Sequence, residues 1–221
     1  MSTQEQIIEH IVLFNVKADA DPTKVAAMID GLNSMVSLDL AIHISTGELL
    51  RSRSHSLTFS HIMHCRFRSN DNLQAYYTHP EHLRVVTENI QLINDDLLVV
   101  DWISNSISDA PKPGSAMRAT LLKLKEDLVE NAKSKFFEGV EGIKNQFKAI
   151  EHISYGENFS HALTKGYSIS SIAVFPGPDD LEAFDSESEL VMNSLKEKLK
   201  DSVESELVVD YVIPLPKVAN A

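Results

Sequence analysis

Apolar residues in this chain come in two kinds of run, alternating and helical, and the two kinds follow one another in a fixed order. Ile7 to Val16 is a β-branched apolar run closed by the polar stretch Lys17 to Asp21, which predicts a strand. Pro22 then opens a helix whose apolar positions Val25, Met28, Ile29, Leu32 and Met35 recur at three and four. Leu40 to Glu48 predicts a second strand ending at Gly47. From Leu57 to Phe67 the pattern alternates, placing Leu57, Phe59, His61, Met63, Cys65 and Phe67 on one face. A short helix is predicted over Asn70 to Tyr77 and another from His79 to about Leu92, with Thr78 and Glu81 at capping-box spacing and Pro80 in the first turn. Leu97 to Ile103 closes the unit as a strand.

The same order then returns. Ile42-His43-Ile44-Ser45-Thr46-Gly47-Glu48 recurs as Glu151-His152-Ile153-Ser154-Tyr155-Gly156-Glu157, and Leu98-Val99-Val100-Asp101-Trp102-Ile103 as Leu207-Val208-Val209-Asp210-Tyr211-Val212, both at an offset of 109. Phe67 and Leu73 match Phe175 and Leu181, and Gly31 matches Gly139, at an offset of 108. Matches that keep their order over a whole half mark a tandem duplication. The second copy predicts strands near 117–124, 150–156, 166–175 and 206–213 and helices near 127–148 and 179–203. The domains are accordingly 5–104 and 116–214, and the segment 105–115, with Pro111 and Pro113, is a stiffened linker.

The order βαββαβ describes a ferredoxin-like split unit whose helices cover one sheet face. Ile8-Glu9-His10-Ile11-Val12-Leu13-Phe14 is apolar enough on both sides to need cover on the other face too. The expected fold is therefore α+β: two ferredoxin-like βαββαβ repeats whose antiparallel sheets pack face to face into an intramolecular dimeric α/β-barrel.

Composition narrows the function. The 221 residues carry a formal net charge of −12, and no basic patch offsets it, which argues against a nucleic-acid partner. The one cysteine, Cys65, excludes an intrachain disulfide framework or a thiolate zinc cluster and, on an apolar strand face, reads as a core residue. No apolar run reaches the roughly 18 residues of a membrane span. No secretory, transit or peroxisomal signal is visible, so a soluble cytoplasmic protein without a membrane partner is expected. Arg51-Ser52-Arg53-Ser54-His55 reads as a solvated basic loop, Lys196 to Asp201 as an exposed mixed-sign helix face, and Trp102 as packing where the two sheets meet. Phosphate-cradling loops, nucleophile elbows and paired metal-ligand histidines on one helix are not seen.

His10-Ile11-Val12-Leu13-Phe14, Tyr76-Tyr77-Thr78-His79-Pro80-Glu81-His82 and Leu98-Val99-Val100-Asp101-Trp102 together resemble the stress-responsive dimeric α/β-barrel domain of plants. The second half resembles the same domain through Gly156-Glu157-Asn158, Gly166-Tyr167-Ser168 and Val209-Asp210-Tyr211, so the likeness covers about residues 7–103 and 116–213. That family includes stress-induced proteins of undefined biochemistry and olivetolic acid cyclase, which closes a linear polyketide into an aromatic acid. The resemblance implies that the catalytic tyrosine and histidine of such a cyclase fall on Tyr76 and His82, and its pocket histidines on His10 and His61. Their counterparts in the second half are Arg118, Ile169, Phe184 and Leu190, so the resemblance implies at most one such site per chain. It also implies a Mg²⁺ ion held by backbone carbonyls near Asn33, Val36 and Ser37; nothing else in the sequence requires a cofactor.

The residue types suit that chemistry. A histidine in the first turn of a helix is held neutral and competent as a base, while a phenol can stabilise an enolate. His10 and His61, sharing inward strand faces with Val12, Phe14, Phe59 and Met63, would give a small hydrophobic or aromatic ligand an apolar pocket with a few polar anchors. The same residues also read as a satisfied structural core: Tyr76 a core aromatic, His79 to His82 a helix start. The expectation is a stress- or defence-associated tandem domain protein that binds or protects and self-associates as a homodimer. The alternatives are a polyketide cyclase-like enzyme using Tyr76 and His82 and, by fold analogy alone, a monooxygenase.

Overall fold

A computed structural model of the chain describes residues 6–54, 57–125 and 129–216. The first repeat runs β1 (Ile8–Val16), α1 (Pro22–Ser34), a 3₁₀ turn (Met35–Leu38), β2 (Ala41–Arg53), β3 (His61–Phe67), α2 (Asn70–Thr78), α3 (Pro80–Val85), a π turn (Val86–Ile90) and β4 (Asn94–Ile103). The second runs β5 (Ala116–Leu124), α4 (Val129–Gln146), β6 (His152–Glu157), β7 (Ile169–Phe175), α5 (Pro178–Leu199) and β8 (Val203–Val212). Asp21 caps α1 by accepting the Thr23 N–H, and Pro22 stands where a missing N–H costs nothing. The capping box expected from Thr78 and Glu81 is not used: His79 caps α3, its Nδ1 accepting the Glu81 N–H at 3.1 Å, while the Thr78 hydroxyl donates back to Gln74.

The sheet corrects the expected architecture. The repeats do not form two sheets packed into a barrel; all eight strands belong to one antiparallel sheet in the order β4-β1-β3-β2-β8-β5-β7-β6. The joint is β2, which continues past Gly47 to Arg53. Its first half pairs with β3 and its last residues with β8, Leu49 opposite Tyr211 and Arg53 opposite Val208. The segment Arg51 to Ser54 expected as a solvated loop is thus strand up to Arg53; His55 lies outside the described residues. Pro214 and Pro216 follow β8 and lack the N–H groups that would extend its ladder along β2.

The sheet is not closed, because its edge strands β4 and β6 form no ladder. β6 stops at Glu157, and the chain beyond it leaves the extended conformation, with Leu163, Lys165 and Gly166 all at positive φ. Among the described residues the backbone–backbone bonds across this seam are isolated ones: Phe159 N–H to the Asp101 carbonyl at 2.9 Å and Val99 N–H to the Leu163 carbonyl at 3.0 Å. Trp102 packs against Gly156, where a Cβ would stand 2.8 Å from its ring and from the Ile103 carbonyl oxygen. The expected homodimer is corrected with the barrel: the strand pairing that joins two βαββαβ units is made inside one chain, by β2 and β8.

The core has three parts. Ile11 and Leu13 of β1, Trp102 of β4, Met117 and Leu121 of β5 and Tyr211 of β8 belong to one cluster on the inner face, shared by both repeats. α1 to α3 cover the other face of repeat one, over Val12, Phe14, Met63, Cys65 and Phe67. α4 and α5 cover that of repeat two, over Leu122, Ile169 and Phe175. The inner face keeps the duplication in its hydrogen bonds: Trp102 Nε1 donates to Ser154 Oγ at 3.0 Å, and the equivalent Tyr211 hydroxyl lies 2.6 Å from Ser45 Oγ.

Candidate functional site

Strand alternation turns Ile8, His10, Val12 and Phe14 toward the helices of repeat one and Glu9, Ile11 and Leu13 inward. His10 is buried, and its Nδ1 lies 2.5 Å from Asp101 Oδ1 on neighbouring β4, its register partner. The Tyr77 hydroxyl, from α2, donates to Asp101 Oδ2 at 3.0 Å and lies 3.2 Å from His10 Nδ1. Burial works to raise the Asp101 carboxyl, but His10 and the hydroxyls of Tyr77 and Ser160 together hold it below the usual carboxylate range. The same burial, with Asp101 adjacent, drives the Tyr77 phenol far upward, so it stays a neutral donor.

Tyr76 and His82 are brought together, their ring centroids 4.6 Å apart. Tyr76 is fully buried, and its hydroxyl donates to the Met63 sulfur at 3.8 Å. His82 is half-buried. Its Nδ1 lies 3.2 Å from the Tyr77 carbonyl, which makes Nδ1 the protonated nitrogen and leaves Nε2 with its lone pair. Burial lowers the His82 pKa, with His10 and His79 adding to the effect against the Tyr77 carbonyl. At neutral pH it is an unprotonated imidazole.

Of the remaining residues expected in a pocket, His61 opens β3 with its Nδ1 2.9 Å from Ser60 Oγ, and burial lowers its pKa. Met63 faces the helices beside Tyr76. Phe59 does not share their face: it precedes the strand and packs into the inner cluster with Ile62. Around Asn33 to Leu38 the carbonyls of Asn33 and Val36 accept the N–H groups of Met35 and Asp39, and the Ser37 hydroxyl donates to Ser34. Those groups are engaged in local turns, and among the described residues no three His, Cys, Asp or Glu side chains are grouped to hold a metal.

Sequence reasoning passed over Tyr77 and Asp101, although the signal was present: an acid inside an apolar strand, repeated as Asp101 and Asp210. In repeat two, two of the same three stations carry other residues. Arg118 replaces His10, Asp185 replaces Tyr77 and Asp210 matches Asp101. Arg118 donates through Nε and Nη2 to Asp210 at 2.7 and 3.0 Å, and through Nη1 and Nη2 to Asp185 at 2.5 and 3.0 Å. Arg51 and Arg53 of β2 reach the same two carboxylates across the joint.

Below these groups the repeats diverge in size. Val12 opposite Met63 in the β1–β3 register becomes Thr120 opposite Ser171 in the β5–β7 register, and Cys65 becomes Ala173. Repeat one is filled there by Met63. Repeat two has a cavity of about 580 Å³ under α4 and α5, with Thr120, Ser171, Ala173 and Arg118 in its lining.

Comparison with known proteins agrees with the duplication. Residues 8–104 and 117–213 each match the Stress responsive A/B Barrel Domain family. A stress-response A/B barrel domain-containing protein of Arabidopsis thaliana is 48% identical over 213 residues, 96% of this chain and 80% of that protein. A second Arabidopsis thaliana protein described in the same words is 38% identical over 212 residues, 94% of this chain and 97% of that protein. Among solved structures, an anthrone oxidase-like protein superposes with a TM-score of 0.68 at 11% identity over 99% of this chain and 98% of that one, a likeness of fold alone. With both halves matched and relatives this similar along nearly its whole length, the chain belongs to the Stress responsive A/B Barrel Domain family, as a member with two domains in tandem.

Proposed function

We propose that this chain serves the stress response as a small-ligand-binding module, and that repeat one recognises an aromatic or hydrophobic ligand without turning it over. The observation that carries this reading is the state of His82. It is a half-buried, neutral imidazole with a free Nε2, fixed from behind by the Tyr77 carbonyl and by the Tyr76 ring. Such a group accepts a hydrogen bond from a phenol or an enol while the aromatic bed supports an apolar body. His10, Asp101 and Tyr77 act as the rigid polar backing, and Met63 and His61 as walls. Binding is favoured over catalysis because the Tyr76 hydroxyl, the natural acid partner of a His82 base, is turned into the core onto Met63. Among the described residues no helix is long and apolar enough to cross a membrane.

A second reading, a polyketide cyclase-like ring closure with His82 as base and Tyr76 as acid, is supported by the 4.6 Å approach of the two rings. One screen separates the readings. Aromatic acids and β-diketones are tested for a rise in the unfolding midpoint of wild type and of His82→Ala, with product analysis on any hit. The expected result is a ligand that stabilises wild type by about 2–3 kcal/mol at a hundredfold excess over its Kd, loses most of that on His82→Ala, and is recovered unchanged. Ring-closed product would establish the cyclase reading, and no shift with any ligand while His82→Ala remains folded would sink both.

A further inference from the structure

The cavity under α4 and α5 is independent of that reading, since none of its lining comes from repeat one. We propose that it is a second binding site, taking an uncharged and mainly aliphatic molecule with one terminal hydroxyl or carbonyl group. At about 580 Å³ it has the size of a small-molecule pocket. Its walls are apolar, with Val140 and Ile143 from α4 and Leu195 and Leu199 from α5.

The polar groups at its floor decide the ligand's head. Thr120 and Ser171 face each other across β5 and β7 and line the cavity side by side, and neither hydroxyl has a hydrogen-bond partner among the described residues. A pair of free hydroxyls against a sheet can both donate to and accept from one oxygen of a ligand. Charge is excluded by the neighbours. The Arg118 guanidinium is already clasped by Asp185 and Asp210, which also hold Arg51 and Arg53, so a carboxylate head would be desolvated beside a cation whose charge two carboxylates already share. At the solvent end Lys196 is paired with Glu206 at 2.9 Å, and Lys123 with Glu204 at 2.7 Å. A charged head would lose its hydration there without gaining an unpaired partner. In repeat one the corresponding space holds Met63, so the site exists only where the duplication replaced that side chain with serine.

The test uses the full chain and three probes with one aliphatic body: decanol, decanoate and decane, titrated by calorimetry and checked by native mass spectrometry. Decanol is expected to bind, decanoate about tenfold more weakly or worse, and decane more weakly than decanol. Ser171→Met, which restores the residue of repeat one, should abolish decanol binding with the fold intact by circular dichroism. Val140→Trp closes the same space from the helix side should Ser171→Met not fold. Thr120→Val with Ser171→Ala keeps the space but should bring decanol down to the level of decane. Decanoate binding as tightly as decanol would overturn the assigned ligand class. Decanol binding untouched by both filling variants, or no binding by wild type, would overturn the site itself.

Discussion

The two repeats share a ladder and differ in what lies under their helices. At the station between sheet and helix, repeat one holds a histidine, a phenol and an acid, and repeat two an arginine and two acids. On the inner face the contrast is reversed. Repeat one buries Glu9, His64 and Arg66 there, with Glu9 Oε2 2.7 Å from His64 Nε2 and Oε1 3.2 Å from Arg66 Nε. Repeat two has Met117, Ile172 and Val174 at those positions. Arg66 also donates to the Ser108 carbonyl at 3.0 Å, so the buried acid holds the linker as well. The difference teaches that the backbone pattern tolerates exchange of polar for apolar and filled for hollow, provided each buried charge keeps a partner.

The comparison can be broken most forcefully at Arg118. Arg118→Ala leaves the nearly fully buried Asp210 with only the more exposed Arg51 and Arg53, and should cost about 3–5 kcal/mol in urea unfolding. His10→Ala should cost clearly less, about 1–2 kcal/mol, because Tyr77 still donates to Asp101. Equal losses would mean that the full charges of repeat two are no more costly to unpair than the histidine of repeat one. Next in size, Met63→Ser hollows repeat one as repeat two is hollowed, and should cost about 3 kcal/mol. A loss under about 1 kcal/mol would show that Met63 is not what fills that space.

The last expected effect, which appears only in acid, concerns what the repeats have in common. His43 and His152 are equivalent positions, each with a buried Nε2 that lacks a partner. Burial pushes His43 down to about 3 and His152 to about 4, against an ordinary value of 6.5. Coulombic repulsion from Arg66 lowers both further, while Glu9 opposes the shift at His152. The unfolded chain therefore binds protons that the folded chain refuses, and stability falls as pH drops below about 6.5 toward 3. Glu9, held low by His64 and Arg66 despite its burial, loses its stabilising charge in the same direction. At pH 5 the His43 contribution alone is about 2 kcal/mol, and His43→Phe should flatten the curve between pH 6.5 and 5. An unchanged acid limb in that variant would remove His43 from the account.

Much of the fold was legible because a ladder is written in alternation and a duplication repeats it. The offset carried Asp101 to Asp210 and Trp102 to Tyr211, and both pairs occupy equivalent places. The joint was not legible. Arg51 to Arg53 is polar, and a polar stretch shortly after a glycine has the pattern of a loop until the acids it pairs with, Asp185 of α5 and Asp210 of β8, are brought beside it from more than a hundred residues away. The face of Phe59 was misjudged for a related reason: alternation counts only within a strand, and β3 begins at His61. At the site, the family resemblance paired Tyr76 with His82, but side-chain direction decides chemistry, and nothing in the sequence turns the Tyr76 hydroxyl onto Met63. The cavity was hidden because Thr120 and Ser171 are ordinary strand residues; only the register that sets them opposite one another makes a space.

The ladder between β2 and β8 has a further consequence, in mass action. Two separate units joined by such an edge would come apart on dilution, whereas here the linker keeps them at a fixed and high effective concentration. Assembly is therefore a unimolecular event, and its midpoint does not move with the amount of protein made. The partners are also held at a ratio of one to one and are never interchangeable. A substitution in repeat one thus appears once in the assembled molecule, whereas in a symmetric pair it would appear twice.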